Sequence, residues 1–208
     1  MTRSFTMSDE FDPAGGRWEP IALDGLARLF RQVDAPWWVA GGVALDLFVG
    51  RPTREHGDLD VEILRRDLSD FAGAIRGWSL FQAKDGRLRR HDAGEPLPDG
   101  VNGLWCRPTD DAPWVLELLL ADADGDAWRY RRDHRISRLI AEVGLATDER
   151  IPFIAPEIQL LYKSKNPRAT DQTDIETVLP LMNESQRAWL ASALGTTQPG
   201  HTWLEQLG

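Results

Sequence analysis

One cysteine, Cys106, stands in 208 residues, so the chain can form no internal disulfide and no cysteine-built zinc site. A cytosolic protein is the expectation. Long apolar runs are missing as well. Nothing approaches the roughly 18 uninterrupted apolar residues of a membrane span, and Met1–Asp12 is acidic with no apolar signal segment. Lysine is scarce, with three against 21 arginines, and bases as a whole are outnumbered 24 to 33, for a net charge of −9. That balance argues against a non-specific nucleic-acid binder, whose affinity comes from basic groups meeting phosphates. It favours solubility and would attract a cationic substrate. What is present is ordinary globular material: 42% apolar and 27% charged residues, over a length sufficient for one domain with a real core.

The periodicity predicts a mixed chain without internal repeats. Residues 1–19 are polar and read as a loose N-terminal arm. Ile21–Val33 has a helical period; Trp37–Ala40 reads as a short buried strand running into Gly41-Gly42; Val43–Val49 is helical again and stops at Gly50. Asp58–Leu64 alternates acidic and apolar residues, a strand signal, and Asp67 suits the N-cap of a helix to about Arg76. Ser79–Ala83, Gly103–Arg107 and Trp114–Ala121 are strand-like, with a hairpin loop over Arg107–Pro113. From Pro156 the pattern is helical: one helix opens there, and others are expected over Asp171–Leu181, Ser185–Leu194 and Thr202–Leu207. The expected fold is α+β, a mixed sheet flanked by helices over about 20–140, followed by a helical C-terminal part over 141–208.

The chemistry is densest in residues 41–62. Asp58 and Asp60, two apart on a strand, project from one face about 6.6 Å apart. Like charges so close repel, and a hard divalent cation resolves the repulsion. Taken alone, an Asp-X-Asp tripeptide reads equally as a solvated strand face. The strand–Gly-Gly–helix before it adds a place where backbone N–H groups and a helix N-terminus can meet phosphate oxygens. Together they supply a phosphate cradle and a metal site in consecutive units.

Gly-Gly-x-Ala-x-Asp…Gly-Arg-x-Thr-Arg-x-His-x-Asp-x-Asp over residues 41–60 resembles the small-molecule nucleotidyltransferases of the DNA-polymerase-β-like superfamily, and most nearly the aminoglycoside 2″- and lincosamide nucleotidyltransferases. A looser likeness runs from about residue 20 to Leu207, through Ala155–Lys163 and Pro199–Leu204. The resemblance implies Mg²⁺-dependent transfer of a nucleoside monophosphate, usually from ATP, to a hydroxyl of a small molecule, with two metal ions as the expected clamp. Gly41 and Gly42 match the triphosphate loop, and Asp58 and Asp60 match the metal pair. A third carboxylate normally comes from a neighbouring strand. Here Glu117, an acid in the apolar run Val115–Leu120, is the first candidate and Glu62 the second. Asp is the commoner residue at that place in the superfamily, so the share of metal binding and proton abstraction that falls to Glu117 stays open. Arg54 and His56 are assigned to the phosphates or to ordering the loop, and Lys163 to a phosphate.

Other polar residues have plainer readings. Arg51 belongs to a helix-ending turn, Asp46 to a helix-to-loop hydrogen bond, and Lys165 to solvent. Trp37 and Trp38 pack; Trp105, Trp114 and Trp128 pack or line a sugar cleft. His91, His134 and His201 show no ligand spacing. Arg87–Arg90 and Arg129–Arg132 are solvated faces or phosphate contacts. The leading function is modification of a small hydroxylated molecule such as an aminoglycoside or lincosamide. The alternatives are a toxin-like transferase acting on tRNA or protein and a non-catalytic nucleotide-binding module. Oligomeric state has no readable signal.

Overall fold

The computed structural model describes residues 12–13, 15–92 and 94–207. Most of the arm expected over 1–19 lies outside them. Its end, Arg17 to Glu19, is hydrogen-bonded to Trp114, and Ile21 continues this onto Val115 at 3.0 Å.

In chain order the elements are β1 (Asp12–Pro13), α1 (Leu23–Leu29), β2 (Trp37–Val39), α2 (Gly41–Val49), β3 (Asp60–Leu64), α3 (Leu68–Phe71), β4 (Ser79–Lys84), β5 (Arg87–His91), β6 (Gly103–Arg107), β7 (Leu116–Asp124), β8 (Ala127–Arg129), β9 (Ser137–Leu139), β10 (Gly144–Ala146), β11 (Pro152–Ile154), α4 (Pro156–Lys163), α5 (Ala169–Val178), α6 (Glu184–Thr197) and α7 (Leu204–Leu207). The strands run in the order β1-β5-β4-β6-β7-β3-β2-β11-β10, with β8 and β9 extending from β7. Two neighbouring pairs, β3–β7 and β11–β2, are parallel and the others antiparallel. The fold is α+β with a mixed sheet, as expected.

Period-2 alternation divides the sheet into two faces. Val61, Ile63, Leu116, Leu118 and Leu120 pack with α1 residues Leu26 and Phe71 of α3. The other face carries Leu64, Ala121 and Trp128 into a core with Ile158, Leu161, Ile175, Leu190 and Trp203 of the C-terminal helical part. Asp60, Glu62 and Glu117 share parity with this second face, so the C-terminal helices roof the acids.

Several boundaries moved. Gly41 and Gly42 form the first turn of α2 rather than a loop before it, and Gly50 caps α2 in the left-handed region at φ 79°. Strand β3 begins at Asp60, leaving Asp58 exposed just ahead of it. The helix expected after Asp67 is four residues long, and the Asp67 side chain does not cap it. Pro156 opens α4, where its missing N–H costs nothing. A reciprocal pair, Gln186 N–H to Asn183 Oδ1 (2.9 Å) and Asn183 N–H to Gln186 Oε1 (3.0 Å), fixes the start of α6. Strands β8 to β11, each three residues long, were not expected; unlike Trp37–Val39 of β2, they do not stand out as an apolar run leading into a glycine pair. No helix among the described residues is long and apolar enough to cross a membrane.

Candidate active site

Two carboxylates meet across the parallel pair β3–β7, where Asp60 and Glu117 stand in register. The Glu117 N–H donates to the Leu59 carbonyl at 2.9 Å, which locks that register immediately beside the acids. Neighbouring glycines leave the room. A Cβ on Gly41 would run into the Asp60 carboxylate, and one on Gly103 of β6 into that of Glu117. Glu117 is held above the usual carboxylate range by burial first and by Asp60 second, with the Trp105 indole opposing. Asp60 is raised by burial and then by Asp58, with Lys163 and Arg168 opposing from a distance. The sheet has brought acids together without an adjacent base. Such a set of oxygen donors fits a hard divalent cation. Among the described residues, no three carboxylate, imidazole or thiol groups are gathered as a ready cage, so the fit rests on this pair and on Asp58 beside it.

The loop between α2 and β3 is tied down by Asp46, buried in α2. Its Oδ1 accepts from the Thr53 N–H (3.0 Å) and hydroxyl (2.5 Å), and its Oδ2 lies 2.7 Å from His56 Nε2. The helix-to-loop role expected of Asp46 holds, and His56 is its partner. Arg54 donates to Asp174 of α5, from Nε at 3.3 Å and Nη2 at 3.5 Å. His56 and the Arg54 guanidinium fill the space above Gly42 where a Cβ would go. The far wall comes from α4 and α5. Lys163 Nζ lies 2.8 Å from Asp171 Oδ1 and 2.9 Å from Asp174 Oδ2, and Arg168 closes on Asp171 at 2.9 Å. Burial would raise Asp171, but hydrogen bonds from Arg168 and Lys163 overcome it and hold this acid well below the usual range.

Between these walls lies a cleft of about 490 Å³, lined by Gly41, Gly42, Asp58 and Asp60 on the sheet side. Arg54, Lys163, Lys165, Arg168 and Arg132 supply the opposing cations. The N-terminus of α2 opens onto it, bringing the first-turn N–H groups that a helix leaves without internal acceptors. Gln159 of α4 takes one of them, accepting from Gly41 at 2.9 Å. Acids beside a helix N-terminus on one wall and cations on the other suit an anion that also carries a metal.

Of the expected residues, Gly41, Gly42, Arg54, His56, Asp58, Asp60 and Lys163 line this cleft, and Glu117 adjoins it through Asp60. Glu62 does not line it. Its carboxylate is buried behind Asp60 and accepts from Trp128 Nε1 at 3.0 Å. Lys165 is exposed, as expected, and stands at the rim of the cleft, as does Arg132, which donates to the Tyr162 carbonyl at 2.6 Å. Gln159, Arg168, Asp171 and Asp174 were not singled out in the sequence. A basic residue or amide on a helix carries no signal until packing aims it. Trp114 and Trp128 are core residues, and Trp105 is half-buried against Glu117. His91 is half-buried, its ring covered and its Nδ1 3.1 Å from Gln82 Nε2.

Glu62 yields a stability test. Burial pushes its carboxyl to about 7, partly offset by the Trp128 hydrogen bond. An acid that binds its proton more tightly folded than unfolded stabilises fully below the ordinary range near 4.5 and loses that contribution as pH rises through about 7. Up to about 3 kcal/mol is at stake. Glu62→Gln keeps the Trp128 bond and presents its amide to the buried Tyr162 hydroxyl beside it. Thermal melts should show a smaller drop in Tm from pH 5 to pH 8 in Glu62→Gln than in the wild type. An unchanged drop would mean that Glu62 is ionised at neutral pH.

Comparisons with known proteins agree with this architecture. Residues 22–90 match the model of the family described as Aminoglycoside-2″-adenylyltransferase, a span that holds the glycine turn, Asp58 and Asp60 and ends before Glu117. A search of the curated proteins gives no match. Among solved structures, the fold is similar to the lincosamide antibiotic adenylyltransferase LnuA in its lincomycin-bound crystal structure, with 16% identity and a TM-score of 0.54 over 79% of this chain and 100% of that one. It is also similar to ANT(2″)-Ia in complex with adenylyl-2″-tobramycin, with 13% identity and a TM-score of 0.55 over 82% and 94% of the two chains. The solution structure of ANT(2″)-Ia gives 14% and 0.52 over 82% and 88%. The chain thus has a nucleotidyltransferase fold, and the segment bearing its glycine turn and paired aspartates matches a nucleotidyltransferase family.

Proposed function

We propose that this chain transfers a nucleoside monophosphate, AMP from ATP, to a hydroxyl group of a small antibiotic. The observation that carries the reading is the in-register pair Asp60–Glu117 at the edge of a cationic cleft, beneath the N-terminus of α2. In the reaction an acceptor oxygen forms a bond to the α-phosphorus, the bond from that phosphorus to the bridging oxygen breaks, and pyrophosphate leaves. Asp58, Asp60 and Glu117 would hold Mg²⁺, which supplies charge neutralisation for the phosphates and the developing negative charge. Arg54, Lys163 and Arg168 bind and orient the triphosphate, with Lys165 and Arg132 at its rim. Glu117, held ionised by the cation it would bind, takes the proton of the acceptor hydroxyl.

The acidic balance and the bound molecules named for LnuA and ANT(2″)-Ia support a small, hydroxylated, cationic or neutral acceptor. Weighing against RNA, two of the three arginines over Arg87–Arg90 are engaged in ion pairs, Arg89 with Glu95 at 2.6 Å and Arg90 with Asp110 at 2.6 Å. The test incubates the chain with Mg²⁺, ATP and a panel of aminoglycosides and lincosamides, followed by mass spectrometry. The expected product is an acceptor heavier by about 329 Da, the mass of an added AMP less water. Glu117→Gln should form it at least about a hundredfold more slowly. Absence of any adduct across the panel, with ATP intact, removes the antibiotic acceptor.

A further inference from the structure

Two of the cleft's cations, Arg54 and Lys163, share a buried acid that does not itself line the cleft, Asp174. We propose that Asp174 is a positioning residue that pairs Arg54 with Lys163 as one receptor for the triphosphate; this rests on the nucleotidyl-transfer reading. Asp174 is 4% exposed and shares its oxygens between two cations from distant parts of the chain. Arg54 of the loop before β3 reaches Oδ1 from Nε at 3.3 Å and Oδ2 from Nη2 at 3.5 Å, and Lys163 of α4 meets Oδ2 at 2.9 Å.

Its neighbour Asp171 has a different task. It accepts the Arg168 N–H at 2.9 Å, which closes the first turn of α5, and also meets the Arg168 and Lys163 side chains. Lys163 therefore has a second anchor, whereas Arg54 has none of comparable strength. Its other contact is the adjacent Glu55 carbonyl at 3.2 Å, and its side chain is 30% exposed. Without Asp174, Arg54 is free to turn to solvent, and the loop carrying His56 and Asp58 loses its tie to the C-terminal helices. Two opposed effects decide the sign. A carboxylate beside a polyanion site repels the ligand, but one that holds two cations in place reduces the ordering the ligand must impose. With both oxygens engaged and the group buried, the second effect dominates.

Asp174→Asn in the full chain should therefore raise the KM for ATP and weaken ATP affinity by the same factor, about tenfold, the worth of one charge-assisted hydrogen bond, while kcat stays within about twofold. Asp174→Glu should recover most of the affinity. In an Arg54→Ala background, Asp174→Asn should weaken ATP binding by no more than about twofold, because the partner it positions is gone. ATP affinity is measured by calorimetry with Mg²⁺, alongside steady-state kinetics. Affinity in Asp174→Asn equal to or tighter than wild type would overturn the proposal, as would a fall in kcat at constant KM. Should Asp174→Asn not fold, Arg54→Lys keeps the test. It retains the charge but not the two-nitrogen reach to Asp174, so an unchanged KM would sink the idea. A wild-type chain without ATP affinity would instead remove the transferase reading itself.

Discussion

Asp60→Asn should abolish detectable transfer, a loss of at least about a thousandfold, while the protein melts no lower than wild type. The activity term follows from position. Asp60 is half-buried, in register with Glu117 and beside Asp58, where the acidic wall meets the cleft. Removing one charged donor from a phosphoryl-transfer site typically forfeits several kcal/mol of barrier reduction, and about 4 kcal/mol is a thousandfold. The stability term has the opposite sign. Burial and the nearby Asp58 raise the proton affinity of Asp60 on folding, against Lys163 and Arg168, so its ionisation opposes the folded state at neutral pH. Its contribution is present below the ordinary carboxyl range near 4 and is lost as pH climbs. An amide of the same shape carries no such cost. Melting curves at pH 8 without added metal should place Asp60→Asn at or above wild type. A variant that loses both activity and several degrees of Tm would mean that Asp60 serves the fold.

That opposition explains why part of the site could be read from the sequence and part could not. Gly41, Gly42, Asp58 and Asp60 lie within 20 residues and owe their arrangement to a strand, a helix start and a loop, all local features. Glu117 showed itself as an acid in an apolar strand, an anomaly that demands a partner. Its pairing with Asp60 needed the parallel register of β3 and β7, which no local pattern encodes. Glu62 illustrates the converse. Parity puts it on the face of Asp60, but one step further along β3 the roof of Trp128 and Tyr162 has closed. Lys165 and Arg132 look like ordinary surface charges in sequence and become cleft residues only because α4 and the segment after β8 bring them to one rim. The same holds for Asp174, whose two partners lie 120 and 11 positions away.

Gly41→Ala should cost about a hundredfold in turnover and destabilise the chain, and the comparison with Gly50→Ala separates the two effects. Both glycines have positive φ, 66° at Gly41 and 79° at Gly50, at opposite ends of α2. In that region an L side chain costs about 1–2 kcal/mol, so both substitutions should lower Tm by similar backbone strain. The surroundings differ. A Cβ at Gly50 meets nothing within 4 Å, while one at Gly41 collides with the Asp60 carboxylate on one side, and the Gly41 N–H on the other is held by Gln159. The helix start cannot retreat without breaking that bond, so the carboxylate must move instead, and displacement of a reacting group by about 1 Å is worth roughly a hundredfold. Gly50→Ala should keep near-wild-type kcat despite its lower Tm. Equal activity in the two variants would show that Asp60 tolerates displacement, and the close approach of the α2 N-terminus would then be packing alone.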